Sequence, residues 1–326
     1  MGKSSLSTIE KDAARDISYA HSARSRTGRV LIRTLENATG RIQLIRRADG
    51  YQKEVDAGAD FWNVMVERYG LSLDIQGENP ATIPKDGPLV LVANHPFGIL
   101  DGLMMGHILS QARGRDFRIL AHRVFRKAED INRIILPISF DETREATELN
   151  LKTRRDALQF LKGGGAIGVF PGGTVSTSQT PLSRPLDPAW RTFTAKMIVK
   201  SGATVIPVYF EGQNSRLFQM ASHLHPNLRV ALLINEFRRR TDATVRATLG
   251  APIERQALEA LASDGKAMMD FLRARTYALS EDGRGVNAYG FEFEEKRKKD
   301  RGDGGRYSRQ RTRRSDRVQS GDRAAS

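Results

Sequence analysis

His95 and Asp101 stand in the run LVLVANHPFGILDGLMM, residues 89–105, at the point where an apolar stretch breaks into Asn94, Pro96 and Gly98. An imidazole with a carboxylate at one ring nitrogen can take a proton from a hydroxyl with the other, while the carboxylate orients the ring and stabilises the imidazolium. Such a base contributes roughly 100- to 10,000-fold to a rate. On one continuous helix the two side chains would point about 120° apart, at about 100° per residue, so a loop has to bring them together. Pro96 and Gly98 oppose helix and predict strand, tight loop, then a helix whose N-cap or first turn includes Asp101. The plainer use of the same residues is an aspartate that caps the helix and a histidine bonded to a nearby carbonyl, and the pair alone leaves both open.

A second candidate is GGGAIGVFPGGTVS, residues 163–176. Gly163, Gly165 and Gly168 match G-x-G-x-x-G, but a helical pattern precedes them and a strand pattern follows, the reverse of a dinucleotide fingerprint. Gly163 to Gly165 are instead expected to cap and turn the preceding helix. At FPGGTVS a strand end gives way to Pro171, Gly172, Gly173 and Thr174. Those residues offer backbone N–H groups and a hydroxyl at the presumed carboxyl edge of a sheet, where α/β ligands bind. The sequence holds no Walker A motif, no G-x-S-x-G elbow and no cysteine, which excludes disulfides, cysteine nucleophiles and thiolate metal sites. His223 and His225 have the spacing of two ligands on a strand but lack a third, so no metal site is expected; His107 and His122 carry no evident role.

The elements that position these residues alternate. Strands are predicted at 88–93, 117–121, 134–140, 166–170, 203–210, 229–236 and 244–250, and helices at 101–112, 144–162 and 188–201. Asp187-Pro188 is expected to start the last helix as N-cap and N1, with Gly202 at its C-terminal end. This alternation predicts an α/β domain with a largely parallel sheet flanked by helices. The first 80 residues are helical in pattern. Leu31, Leu35, Ala38, Ile42 and Ile45 fall on one stripe flanked by Arg29, Arg33, Arg41, Arg46 and Arg47, a basic amphipathic helix suited to a membrane interface or to packing on the domain. A further helix carries Phe61, Val64, Met65 and Tyr69 at core spacing, and a short strand with a Pro/Gly-rich loop leads into residue 88.

The chain has 326 residues and a net charge of +14. Residues 295–326 hold 12 Lys/Arg against 5 Asp/Glu, half of the excess, and have little to bury; a disordered basic tail is expected there, either solubilising or binding anionic surfaces. No apolar run approaches the roughly 18 to 20 residues of a spanning helix, and the N-terminus lacks the pattern of a signal peptide. Three parts follow: residues 1–80 as a helical, membrane-docking segment, 81–285 as the α/β domain and 286–326 as the tail.

In order along the chain, NHPFGILD (94–101), FPGGTVS (170–176) and TVIPVYFEG (204–212) resemble the three motif blocks of the glycerolipid acyltransferase family that includes lysophosphatidate acyltransferases. The resemblance covers about half the chain. It implies fatty acyl transfer from acyl-ACP or acyl-CoA to a lysolipid hydroxyl, with His95 as general base, Asp101 its partner, and Gly172, Gly173 and Thr174 binding the acceptor. Asn94, Pro96, Gly98 and Pro207 would support the site. It also implies no bound cofactor or metal, no specific nucleic acid, and a peripheral place on the cytoplasmic face of a membrane. The H-x5-D spacing and Pro96 are similar to a branch of haemolysin-like and aminolipid O-acyltransferases. Gly172 and Val175 replace the family's Glu and Arg, which makes a lyso-aminolipid such as lyso-ornithine lipid a candidate acceptor beside 1-acylglycerol-3-phosphate. The alternative from another class is a non-enzymatic protein that binds anionic membrane or nucleic acid through its charge.

Overall fold

The computed structural model describes residues 25–122, 132–139, 143–283 and 285–293, with Ser18, Ala20 and Ala23. The chain divides into two units, Met1–Gly290 and Phe291–Ser326. Of the second only 291–293 are described, where the Phe291 and Phe293 rings meet edge to face at 4.8 Å. The tail expected at 295–326 lies outside the described residues.

The first unit is built on seven strands: β1 (Ser72–Gly77), β2 (Leu89–Ala93), β3 (Phe117–His122), β4 (Ile135–Ile138), β5 (Ala166–Val169), β8 (Thr204–Phe210) and β9 (Thr244–Leu249). Their spatial order is β1-β9-β8-β2-β5-β3-β4, with β6 (Thr177–Ser178) and β7 (Pro185–Leu186) pairing separately. All neighbours in the large sheet are parallel except β8 and β9. The sheet is largely parallel, as the alternation of elements implies.

β2 lies in the middle and is buried on both faces, which is why its sequence is continuously apolar. Leu89, Leu91 and Ala93 enter a core with α4 (Phe61–Arg68) and α5 (Ile99–Arg113), through Trp62, Met65, Met104 and Leu109. Val90 and Val92 enter the opposite core with α6 (Arg144–Lys162), α7 (Phe193–Ser201) and α11 (Gly265–Tyr277), through Leu161, Ile198 and Leu272. Helices therefore cover both faces. The segment before residue 80 shares this core, and β1 is an edge strand of the main sheet, so the 1–80 boundary separates no independent layer.

Three sequence expectations are corrected. Residues 229–236 belong to α9 (Pro226–Arg238), not a strand. His225 caps it by accepting the Asn227 N–H at 3.0 Å, and Pro226 takes the first turn, where a missing N–H is harmless. α7 starts at Phe193 behind Thr192, so Asp187 does not cap it, although Gly202 ends it in the left-handed conformation as expected. The N-terminal amphipathic helix is two helices, α1 (Arg26–Thr39) and α2 (Arg41–Ala48), broken at Gly40 with φ +129°. Ile32, Glu36, Leu44 and Ala48 are buried, while Leu31 and Ile42 of the expected stripe are exposed. In α1 the buried face lies one residue on from the expected stripe, with Ile32 packed among Ala20, Ala23 and Ala231 and the Glu36 carboxylate accepting the Ser18 hydroxyl.

Candidate active site

The parallel strands β2, β5 and β8 end on one edge, and the sequence motifs sit there. Beyond β2, Asn94 turns its amide onto the end of β8, donating to the Phe210 carbonyl at 2.9 Å and accepting the Phe210 N–H at 2.7 Å. The chain then turns through Pro96 and Gly98. Gly98 has φ +94°, a conformation that favours glycine, and a Cβ there would lie a tight 3.2 Å from Leu233 and from Val175.

That turn places Asp101 in the first turn of α5, fully buried, with Oδ2 accepting the N–H groups of Phe97 at 2.8 Å and Gly98 at 2.9 Å. The same oxygen lies 2.9 Å from His95 Nδ1. Neither use in the sequence reading excludes the other: Asp101 caps the helix and faces the imidazole. The approach is a close charge contact rather than an aligned hydrogen bond. Across its face the His95 ring stacks on Phe170 at 4.3 Å with planes 23° apart, and 18% of its side chain stays exposed. A histidine held this way, with one nitrogen on a carboxylate, has the parts of a proton acceptor for a hydroxyl.

The His95 backbone is held as firmly as its ring. Its N–H donates to Asp187 Oδ1 at 3.1 Å and its carbonyl accepts the Ser176 N–H at 2.8 Å. Ser176 Oγ donates to the same Asp187 oxygen at 2.5 Å, and Trp190 Nε1 donates to Oδ2 at 2.9 Å. Burial pushes the Asp187 carboxyl above its usual range, while these donors pull it back. Tyr277 Oη accepts the Asp187 N–H at 2.8 Å, and Arg273 Nη2 donates to the Asp187 carbonyl at 3.1 Å. Sequence reasoning missed this residue by assigning it to a cap; its signal was an aspartate three residues before a tryptophan in an otherwise apolar stretch.

Gly172 lies beside Asp187, where a Cβ would be in ordinary contact at 3.4 Å from its side chain, and Gly173 turns at φ +69°. Thr174 is half-buried and its hydroxyl accepts Arg229 Nη2 at 3.1 Å. Arg229, buried in α9, also donates to the Val175 carbonyl, Thr177 Oγ1 and Ser222 Oγ. An arginine thus reaches this loop from another element, hidden from the sequence reading by the mistaken strand. Other arginines are engaged elsewhere: Arg184 pairs with Asp282 at 2.6 Å and Arg133 lines a cavity with Phe117 and Trp62 at the opposite edge of the sheet. The Arg191 N–H donates to the Pro171 carbonyl.

Asn94, Pro96 and Gly98 thus shape the turn itself. Pro207 lies within β8 opposite Val92; its carbonyl accepts the Gly250 N–H beyond the end of β9, where the lack of a proline N–H breaks no ladder bond. His223 is on a helix, α8 (Arg216–Leu224), with Nε2 2.9 Å from the Ser178 carbonyl, while His225 caps α9. No group of three possible metal ligands occurs among the described residues.

Residues 74–211, which carry the first two blocks and all but the last residue of the third, match the family described as Acyltransferase. That match supports an enzyme over the non-enzymatic alternative. Two lyso-glycine lipid O-acyltransferases are among its relatives. The one from Phocaeicola vulgatus is 27% identical over 214 residues, covering 62% of this chain and 71% of that protein. The one from Bacteroides thetaiotaomicron is 26% identical over 217 residues, covering 62% and 73%. A solved 1-acyl-sn-glycerophosphate acyltransferase from Thermotoga maritima aligns over 73% of this chain and 95% of that one, at 17% identity and a TM-score of 0.36.

Proposed function

We propose that this acyltransferase moves a fatty acyl group from an acyl-ACP or acyl-CoA thioester to the free hydroxyl of a lysolipid. The observation that carries the reading is the 2.9 Å contact of His95 Nδ1 with buried Asp101 at the sheet edge. His95 Nε2 accepts the hydroxyl proton as the oxygen attacks the thioester carbonyl carbon, and Asp101 stabilises the imidazolium. The tetrahedral intermediate then collapses, the C–S bond breaks, and the imidazolium returns its proton to the departing sulfur. An ester and a free thiol result, with no covalent acyl-enzyme, cofactor or metal. Gly172, Gly173 and Thr174 line the acceptor side, and the enzyme works as a peripheral protein on the cytoplasmic face of the membrane.

For the acceptor, a lysolipid with an amino-acid headgroup is favoured over 1-acylglycerol-3-phosphate. The relatives are named for a lyso-glycine lipid, and Val175 stands where a phosphate-binding arginine is expected from the family resemblance. Purified protein supplied with acyl-ACP or acyl-CoA and each lysolipid, with products read by mass spectrometry, tests the reading. His95→Ala and Asp101→Asn should each lower transfer by about 100-fold or more. Undiminished transfer in both variants would falsify the mechanism, and transfer to the phosphate acceptor alone would overturn the headgroup assignment.

A further inference from the structure

α8 has two faces of opposite character. Toward the site, buried Gln219 accepts the Ser178 N–H at 3.1 Å, His223 contacts the Ser178 carbonyl, and Ser222 Oγ accepts Arg229. Away from it, Leu217, Met220 and Leu224 are 52%, 44% and 77% exposed. Their spacing puts them on one ridge of the helix. Leu182, 78% exposed, lies near the start of the helix, where Arg216 Nη1 donates to the Leu182 and Ser183 carbonyls. Four large apolar side chains so exposed, next to the acceptor loop, form a patch that a water-facing surface does not need.

The segments that form the patch carry no acid of their own. No Asp or Glu occurs between Asp156 and Asp187, or between Glu211 and Glu236, so the loop and the helix that form the patch are free of acid. Of the two arginines that flank it within those stretches, Arg184 is paired with Asp282, while Arg216 donates to the Leu182 and Ser183 backbone carbonyls.

We infer that Leu182, Leu217, Met220 and Leu224 insert into the bilayer interface, with Arg216 on lipid phosphates, and hold the acceptor loop at the leaflet that contains the lysolipid. This rests on the lysolipid reading above and deepens it: α8 is assigned a part in docking. Apolar insertion beside cationic side chains is the chemistry of interfacial helices.

The test uses the full chain and a Leu182→Ser/Leu217→Ser/Leu224→Ser variant, whose changes are all at exposed positions. Flotation with vesicles of phosphatidylcholine and phosphatidylglycerol reads binding, and acyl transfer is measured to the same lysolipid in vesicles and to a short-chain, monomeric form. The expected result is a fall of about tenfold or more in vesicle binding and in vesicle transfer, with transfer to the monomeric acceptor unchanged. Flotation equal to wild type overturns the proposal. So does loss of transfer to both acceptor forms, which would make the patch part of the reaction site. A wild-type dimer that becomes monomeric in the variant while flotation persists would assign the patch to a second copy of the chain and also overturn it. If neither acceptor is acylated by wild type but flotation still depends on the leucines, docking stands and the lysolipid reading fails.

Discussion

Asp187 meets His95 only through the main chain, and its use follows from the donors aimed at it. The His95 N–H, the Ser176 hydroxyl and the Trp190 indole N–H all point at one carboxylate, so it is built to accept. In Asp187→Asn, an amide that keeps its oxygen toward His95 and Ser176 must turn its NH2 on Trp190, donor against donor. As a positioning residue it should lower kcat by about 10- to 100-fold with KM little changed, since the base is displaced rather than removed. Trp190→Phe added to it removes the conflict and should restore part of kcat. A single variant with wild-type kcat, or no rescue in the double, would reject the role. The stability effect has its own sign. A carboxyl whose folded pKa is raised contributes stability that is present below the unfolded value and lost as pH rises through the folded one. Thermal melts from the ordinary carboxylate range upward should therefore fall less steeply with pH in Asp187→Asn than in wild type.

Among the elements, the loop after β2 depends on a clamp between strands that are distant in sequence. Asn94 satisfies both backbone groups of Phe210, 116 residues away. Asn94→Ala leaves a buried N–H and a buried carbonyl without partners, at about 1 to 3 kcal/mol each, so stability by chemical denaturation should drop by about 2 to 5 kcal/mol. A loss below about 0.5 kcal/mol would show that the strand ends are held by other contacts. The same distance explains what was readable beforehand. His95, Asp101 and the turn between them are local, and their residue types announce them. That Asn94 clamps β8, that Asp187 holds the His95 backbone and that Arg229 braces Thr174 are all long-range facts, with partners 116, 92 and 55 residues apart. The α9 error is of another kind. Ala231, Leu233, Ile234 and Phe237 are buried across much of the helix, so its apolar residues show neither a clean stripe nor a strict alternation, and only the Pro226 start signal separates helix from strand.

At the scale of the molecule, the sheet edge is closed by the last described part of the first unit. Arg273 is 1% exposed, and its guanidinium donates to the carbonyls of Gly285, Val286, Ala288 and Asp187. The Gly290 N–H in turn donates to the Asp187 carbonyl at 2.8 Å, and Gln179 holds the Tyr289 and Gly290 carbonyls. The segment expected to begin a disordered tail at residue 286 is therefore part of the site's scaffold as far as Gly290. A chain ending at Gly290 keeps every one of these bonds and should retain wild-type stability and transfer to a monomeric acceptor. A chain ending at Arg284 leaves a buried guanidinium short of three of its four carbonyls, a loss of about 3 to 5 kcal/mol of the kind seen when a buried charge loses its partner. It should melt well below wild type and lose transfer together with the Asp187 brace. Equal stability of the two truncated chains in denaturant titrations would show that residues 285–290 do not support the site.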